Sequence, residues 1–166
     1  MSVGLTPGAV LPDFELPDEN GVMHRLSALQ GDDAMVLKLQ LWQPVAFTQM
    51  VTVLPNDLHD TYEMKIATGA QWTYLADADL EVQAALDIRE YTDAHHAATV
   101  PHTLVLGPGL TIDRVYVGYW YWGRPSPYQL WEDLQALMRR AKADYDPTTA
   151  EARAAWEAAQ REVAAA

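Results

Sequence analysis

The chain contains no cysteine. That absence removes disulfides, thiolate metal sites and every thiol redox cycle together, because the thiolate is the nucleophile or ligand in each. No run of 18 apolar residues occurs, so no spanning helix is expected. The N-terminus lacks a basic region followed by an apolar core, and the cytoplasm is the expected compartment. Basic residues are scarce: 11 Lys and Arg against 23 Asp and Glu leave a formal charge of −12. Neither nucleic acid nor an anionic membrane is an expected partner for such a surface.

What remains is a chain of 166 residues with 49% apolar content, enough for one domain with a real core. Residues 1–142 read as that domain, and 143–166 as an alanine-rich helical extension with one bulky anchor, Trp156. Pro17-Asp18-Glu19-Asn20-Gly21 is a hairpin signal between two short apolar segments. Ser27 is placed to cap a turn over 28–30 that Gly31 ends. Ala34 to Trp42 reads as the first core strand, with Leu37, Leu39 and Leu41 on one face and Lys38 and Gln40 on the other. Val51 to Leu54 reads as the next strand. Only about eight residues, 43–50, separate the two, whereas a parallel crossover needs a dozen or more and usually a helix. An irregular loop over 43–50 is expected. An antiparallel reversal, a link between non-adjacent strands, or a helix replacing the second strand are the alternatives.

Asn56 or Asp57 caps a helix to Thr68 in which Leu58, Tyr62 and Ile66 recur at helical spacing. Trp72 to Leu75 is a short strand, and Asp77 opens a helix with Val82, Ala85 and Leu86 inward. Pro101 precedes an apolar strand, Leu104-Val105-Leu106, which Gly107-Pro108-Gly109 turns into a hairpin partner over 111–117. Ser126 with Pro127 opens a further helix whose core face is Leu130, Leu134, Leu137 and Met138. Thr148 to Glu151 is a capping-box pattern before the last helix.

The order of these pieces carries a resemblance. Pro12-Asp13-Phe14, Asn20-Gly21, Leu26-Ser27-Ala28-Leu29, an apolar strand, Leu75-Ala76-Asp77 and then Val100-Pro101 before a hairpin resemble the peroxiredoxins. These are the alkyl hydroperoxide reductase and thiol-specific antioxidant branch of the thioredoxin-fold proteins. The likeness spans residues 4 to about 140. Gly118-Tyr119-Trp120-Tyr121-Trp122-Gly123-Arg124-Pro125 is similar to a redoxin subgroup with an aromatic segment after the hairpin. The resemblance implies an α/β, thioredoxin-like architecture: a central mixed sheet with flanking helices, the active-site helix shortened or missing. It also implies a cis Val100–Pro101 bond beside the active site. In the family a proline, a threonine and the peroxidatic cysteine keep a fixed spacing. Pro44 and Thr48 fit it, which puts the cysteine position on Val51, or on Gln43 if the shortened loop sets the alignment. Neither residue forms a sulfenate, so thiol peroxidase chemistry is excluded.

Several residues are candidates for a site. His102 stands where many peroxiredoxins carry arginine, and a histidine there suits acid–base chemistry near neutral pH; the plain alternative is a hydrogen-bonded structural residue. Pro44 and Thr48 are more simply read as ordinary turn residues. In an extended chain Trp120 and Trp122 share one face, and Tyr119 and Tyr121 the other. One face would finish the core while the other lines a pocket or dimer surface. Arg124 offers a two-pronged grip on a carboxylate. With Trp42 and Trp72 near in fold order, an aromatic pocket for a small organic molecule is expected. His95, His96 and His102 do not make a convincing metal set, and no cofactor is expected. The leading expectation is a small-molecule ligand in the former active-site cleft, lined by Trp42, Pro44, Thr48, Pro101, Trp120, Trp122 and Arg124. The first alternative is an isomerase, cyclase or hydrolase with His102 as proton carrier and Tyr119 or Tyr121 as hydrogen-bond donor. The second is a non-catalytic module whose partner is another copy of the chain.

Overall fold

A computed structural model of the chain describes residues 5–31, 34–38, 48–92, 95, 98–119, 122–142 and 148–165. Strands β1 (Glu15–Pro17) and β2 (Met23–Arg25) form a hairpin. Its turn is held by the Asp18 carboxylate, which accepts from the amides of Asn20 and Val22 at 2.8 and 2.9 Å. Helix α1 (Leu26–Gln30) follows. Its first turn is capped by Asp13, which accepts from both the amide and the hydroxyl of Ser27. Ser27 therefore sits inside the helix as a donor, not before it as the expected cap.

The main sheet holds β3 (Ala34–Lys38), β4 (Thr48–Leu54), β5 (Thr73–Ala76), β6 (His102–Gly107) and β7 (Thr111–Val117) in the order β5-β4-β3-β6-β7. Strands β3, β4 and β5 run parallel; β6 and β7 pair antiparallel. The expectation at the first crossover is corrected by this pairing. Strand β4 begins at Thr48, three residues earlier than the sequence suggests, and is both adjacent and parallel to β3. None of the three alternatives holds. Ala34 pairs with Thr48 and Lys38 with Thr52, so residues 39–47 return the chain by four residue spacings, about 13 Å. Nine residues are long enough to span that distance.

Register sorts the side chains onto two faces. Met35, Leu37, Val51, Val53, Leu75, Leu104, Leu106 and Ile112 meet Leu26 of α1, Val82 and Leu86 of α3 (Glu81–Leu86), and Leu11 in one buried cluster. A bulge between Val105 and Leu106 shifts the β6–β7 register, with Leu106 opposite Ile112 and Val105 opposite Arg114. The extra residue, Asp113, explains why Ile112 and Val115 reach the same face despite their odd spacing.

The opposite face is covered by α4 (Pro127–Ala141), whose Leu130, Leu134, Leu137 and Met138 pack on Ala34 and Val105. Ser126 opens α4 with a reciprocal capping box to Gln129. Helix α2 (Leu58–Thr68) is capped by Asp57 and closed by Gly69 in the left-handed region, as the sequence predicts. Its apolar row is not its packed row: Leu58, Tyr62 and Ile66 are exposed and Thr61 is buried. Helix α5 (Ala150–Ala165) starts at Thr149, whose hydroxyl accepts from Ala152. The third amide of the helix thus falls on Ala152, and the cap it donates to is Thr149, one residue after the expected Thr148. Among the described residues no helix is long and apolar enough to cross a membrane.

Asp77 is buried and accepts from the amides of Val82 and Gln83, anchoring α3. Burial is the largest influence on its carboxyl and raises its pKa above the ordinary Asp range. A folded-state pKa raised in this way contributes stability below the unfolded value, lost as pH rises through the folded one. Asp77→Asn keeps an acceptor without the charge, so it is expected to flatten the fall in unfolding free energy above about pH 4. Asp77→Ala should cost about 1–2 kcal/mol at all pH values. Urea titrations of the three proteins across pH 4 to 8 check both outcomes.

Candidate functional site

Of the sequence candidates, Pro101, His102, Tyr119, Trp122 and Arg124 collect at one end of the sheet, where β6 begins and β7 ends. His102 pairs with Val117, and the Gly118 amide donates to the Pro101 carbonyl at 2.6 Å. Gly118 is what allows the approach. A Cβ there would lie 3.2 Å from the Pro101 ring and carbonyl oxygen and 3.3 Å from Cγ of Arg124. The bare backbone therefore brings Pro101 and the stem of Arg124 together. The Val100–Pro101 bond is not cis, since the described residues contain no cis peptide. The resemblance-based expectation is corrected on this point. Trans is the lower-energy isomer of an X–Pro bond by about 0.5–1 kcal/mol.

The aromatic segment is a tight reversal and not an extended run. Tyr119 and Trp122 exchange both backbone hydrogen bonds, at 2.8 and 2.6 Å. In such a directly opposed pair both side chains leave on the same side. That overturns the expected alternation, in which Tyr119 and Trp122 point opposite ways. Neither finishes the core: Tyr119 is 66% and Trp122 77% exposed. Trp120 and Tyr121, the two connecting residues, lie outside the described residues, as do Trp42, Pro44 and His96. Two further aromatics follow on α4, where Tyr128 and Trp131 are exposed with ring centroids 6.0 Å apart.

His102 is 8% exposed and shares a face with Leu104 and Leu106. Its Nδ1 lies 2.8 Å from the carbonyl oxygen of Val100. A carbonyl only accepts, so Nδ1 carries the hydrogen and the lone pair is left on Nε2. Among the described residues no three His, Asp or Glu side chains lie close enough to hold a metal ion.

Thr48 does not join this group. It pairs with Ala34, whereas Thr103, next to His102, pairs with Lys38. The two levels lie about 13 Å apart along β3. Val51 is a buried core residue in the middle of β4, paired to Leu37 and Thr73. It therefore cannot mark the start of an active-site helix. Of the two alignments for the lost cysteine, only Gln43 falls between β3 and β4, outside the described residues.

Register also reveals residues that the sequence does not single out. Tyr74 pairs with Thr52, Thr52 with Lys38, Lys38 with Thr103, and Thr103 with Tyr116. These five positions form one row across the α4 face, level with His102. Nothing local in any of the five strands says that these positions align. Tyr116 donates to Asp133 of α4, and its phenol is pushed up to about 12, first by burial and then by that carboxylate. Trp72 donates its indole N–H to the Thr52 hydroxyl at 2.9 Å, and the Tyr74 hydroxyl meets that of Thr68 at 3.3 Å.

No family model matches the chain, and no curated protein matches it. Solved structures do. Peroxidoxin BcpB from Mycobacterium tuberculosis aligns over 83% of this chain and 99% of its own, at 18% identity and a TM-score of 0.65. The reduced Prx3 of Vibrio vulnificus in complex with hydrogen peroxide aligns over 78% and 98%, at 16% identity and a TM-score of 0.64. The fold is that of the peroxiredoxins. A peroxiredoxin fold without cysteine keeps the scaffold and loses the reacting atom, because no other side chain cycles through a sulfenate. A putative electron transfer protein from Aquifex aeolicus has the same fold at 19% identity and a TM-score of 0.61, so likeness of fold alone does not assign a reaction.

The reversal that presents Tyr119 and Trp122 depends on Gly123, which has φ +77° and whose Cβ position lies 2.1 Å from the Val117 carbonyl oxygen. Gly123→Ala is therefore expected to destabilise by at least about 1–3 kcal/mol. The near-ultraviolet dichroism of the tryptophans should change with it. An unchanged spectrum and melting temperature would show that the turn does not need this glycine.

Proposed function

We propose that this chain is a cysteine-free, peroxiredoxin-type protein that binds a small, flat, carboxylate-bearing organic molecule without redox chemistry. The observation that carries the reading is the exposed Tyr119–Trp122 pair, fixed by two backbone hydrogen bonds beside Arg124 and Pro101. Exposed aromatic rings carried on a fixed backbone offer faces on which a planar ligand stacks. Arg124, whose stem lies against Gly118, is the residue type whose planar head fits a carboxylate. The missing thiol leaves binding as the role this end of the sheet retains. Calorimetric titration with p-hydroxyphenylacetate, and with acetate as the ring-free control, tests it. Trp122→Ala should weaken binding of the aromatic acid by about tenfold or more while leaving the melting temperature nearly unchanged. Arg124→Gln should erase the preference for the acid over its amide. No heat at millimolar ligand, or an affinity indifferent to Trp122, would remove this reading.

A second reading, an acid–base enzyme, is supported by the Nδ1 contact of His102 with the Val100 carbonyl. It leaves Nε2 as a fixed base, with Tyr119 and Arg124 as donor and anion anchor. In a screen of isomerase, cyclase and hydrolase substrates, His102→Ala should abolish any turnover found and leave the fold intact. Turnover that survives His102→Ala assigns the proton transfer elsewhere.

A further inference from the structure

The register around Pro101 decides what shares a face with the Tyr119–Trp122 pair. His102 stands opposite Val117, and the Gly118 amide donates to the Pro101 carbonyl. Pro101 and Gly118 thus take the hydrogen-bonded position of this antiparallel ladder. His102 and Val117 are the closer, non-hydrogen-bonded pair, with about 4.5 Å between Cα atoms. Gly118 does not occupy the left-handed region, so the alternation continues and Tyr119 leaves on the same face as Val117 and His102. Tyr119 is the diagonal neighbour of His102, about 7–8 Å away, within reach of an aromatic side chain. Trp122, directly opposed to Tyr119 through two backbone hydrogen bonds, belongs to that face as well. The stem of Arg124 lies against the Cβ position of Gly118, which is the other face of the ladder.

On the ring face, then, the ionisable nitrogen is that of His102. Its Nδ1–H is committed to the Val100 carbonyl. Its Nε2 has no hydrogen-bond partner, yet it is not one of the buried unpaired atoms among the described residues, which are Glu19 Oε2, Thr61 Oγ1 and Asp113 Oδ2. Nε2 therefore stays open to solvent. A neutral imidazole presents a lone pair there and repels a carboxylate, whereas a protonated one presents an N–H and a positive charge. The other ionisable groups at this end are Asp87 and Glu90, on the segment that pairs with 98–100, and Arg124. Asp87 and Glu90 already accept from the hydroxyls of Tyr91 and Thr92, at 3.3 and 2.6 Å. Tyr116 and its partner Asp133 stand on the α4 face.

We propose that His102 anchors the carboxylate of a ligand stacked on Tyr119 and Trp122, and that the acid binds together with one proton, taken from solvent onto Nε2. This rests on the binding proposed above, and its test separates the two. A carboxylic acid titrates near about pH 4 and stays ionised above pH 5, whereas an imidazole titrates near neutrality. Calorimetry of p-hydroxyphenylacetate with the full-length protein, in two buffers of different ionisation heat, counts the protons taken up. Uptake should approach one proton per ligand at pH 8, and affinity should fall about tenfold or more between pH 5.5 and 8. The amide of the same acid should show neither effect. His102→Gln should abolish uptake and pH slope while the dependence on Trp122 remains, and Glu90→Gln should leave both unchanged. Should His102→Gln fail to fold, the wild-type imidazole decides by NMR: its titration midpoint must rise when the acid is present. Binding that needs Trp122 but takes up no proton, uptake that survives His102→Gln, or an unmoved midpoint overturns this inference and leaves the binding surface standing. Absence of any binding removes both.

Discussion

The parallel pairing of β3 with β4 is the constraint on which the other features depend. It sets Ala34 beside Thr48 and Lys38 beside Thr52, with only residues 39–47 to make the return. A parallel neighbour is ordinarily reached through a helix that also covers the sheet face. Here the connection between the paired strands is nine residues long, fewer than the dozen or more such a crossover ordinarily takes. Strand order, the two buried clusters and the position of α4 are then those of a peroxiredoxin fold. The chain supplies no thiol to serve as the nucleophile of that family.

Two consequences reach the candidate site. Because β6 lies between β3 and β7, the start of β6 and the end of β7 meet at one end of the sheet. Pro101, Gly118 and Arg124 converge there through close backbone contact. The Tyr119–Trp122 reversal then projects its rings outward instead of into the core, since Gly123 turns the chain back against the Val117 carbonyl. The large apolar side chains at this end are spent on the surface. On an acidic chain with 49% apolar residues this is a departure from core packing and not a shortage of core. Helix α2 shows a milder form of it, with Leu58, Tyr62 and Ile66 in solvent while Thr61 faces the protein.

Much of the architecture was legible locally. Asp57 and Gly69 bound α2, Ser126 and Pro127 open α4, and Leu130, Leu134, Leu137 and Met138 are its buried face, all for reasons contained in a few neighbouring residues. Errors arose where a local rule had two solutions. Ser27 and Thr148 have the right chemistry for caps, yet Asp13 and Thr149 hold the geometry. The aromatic run alternates only if extended, and a tight turn makes Tyr119 and Trp122 neighbours. Thr48 matched a spacing but belongs to the far end of a strand. Val51 matched the same spacing and is core.

The amino-acid sequence by itself determined that no thiol chemistry runs in this chain, that an α/β fold forms, and where α2 and α4 start. Composition and short-range hydrogen bonding are sufficient for those outcomes. Only the tertiary structure decided which side chains stand together. The row from Tyr74 to Tyr116 joins residues from five strands, and its existence depends on register. A slip of one residue in any pairing would send its members to opposite faces. No property of Thr52, Lys38 or Thr103 taken alone contains that alignment.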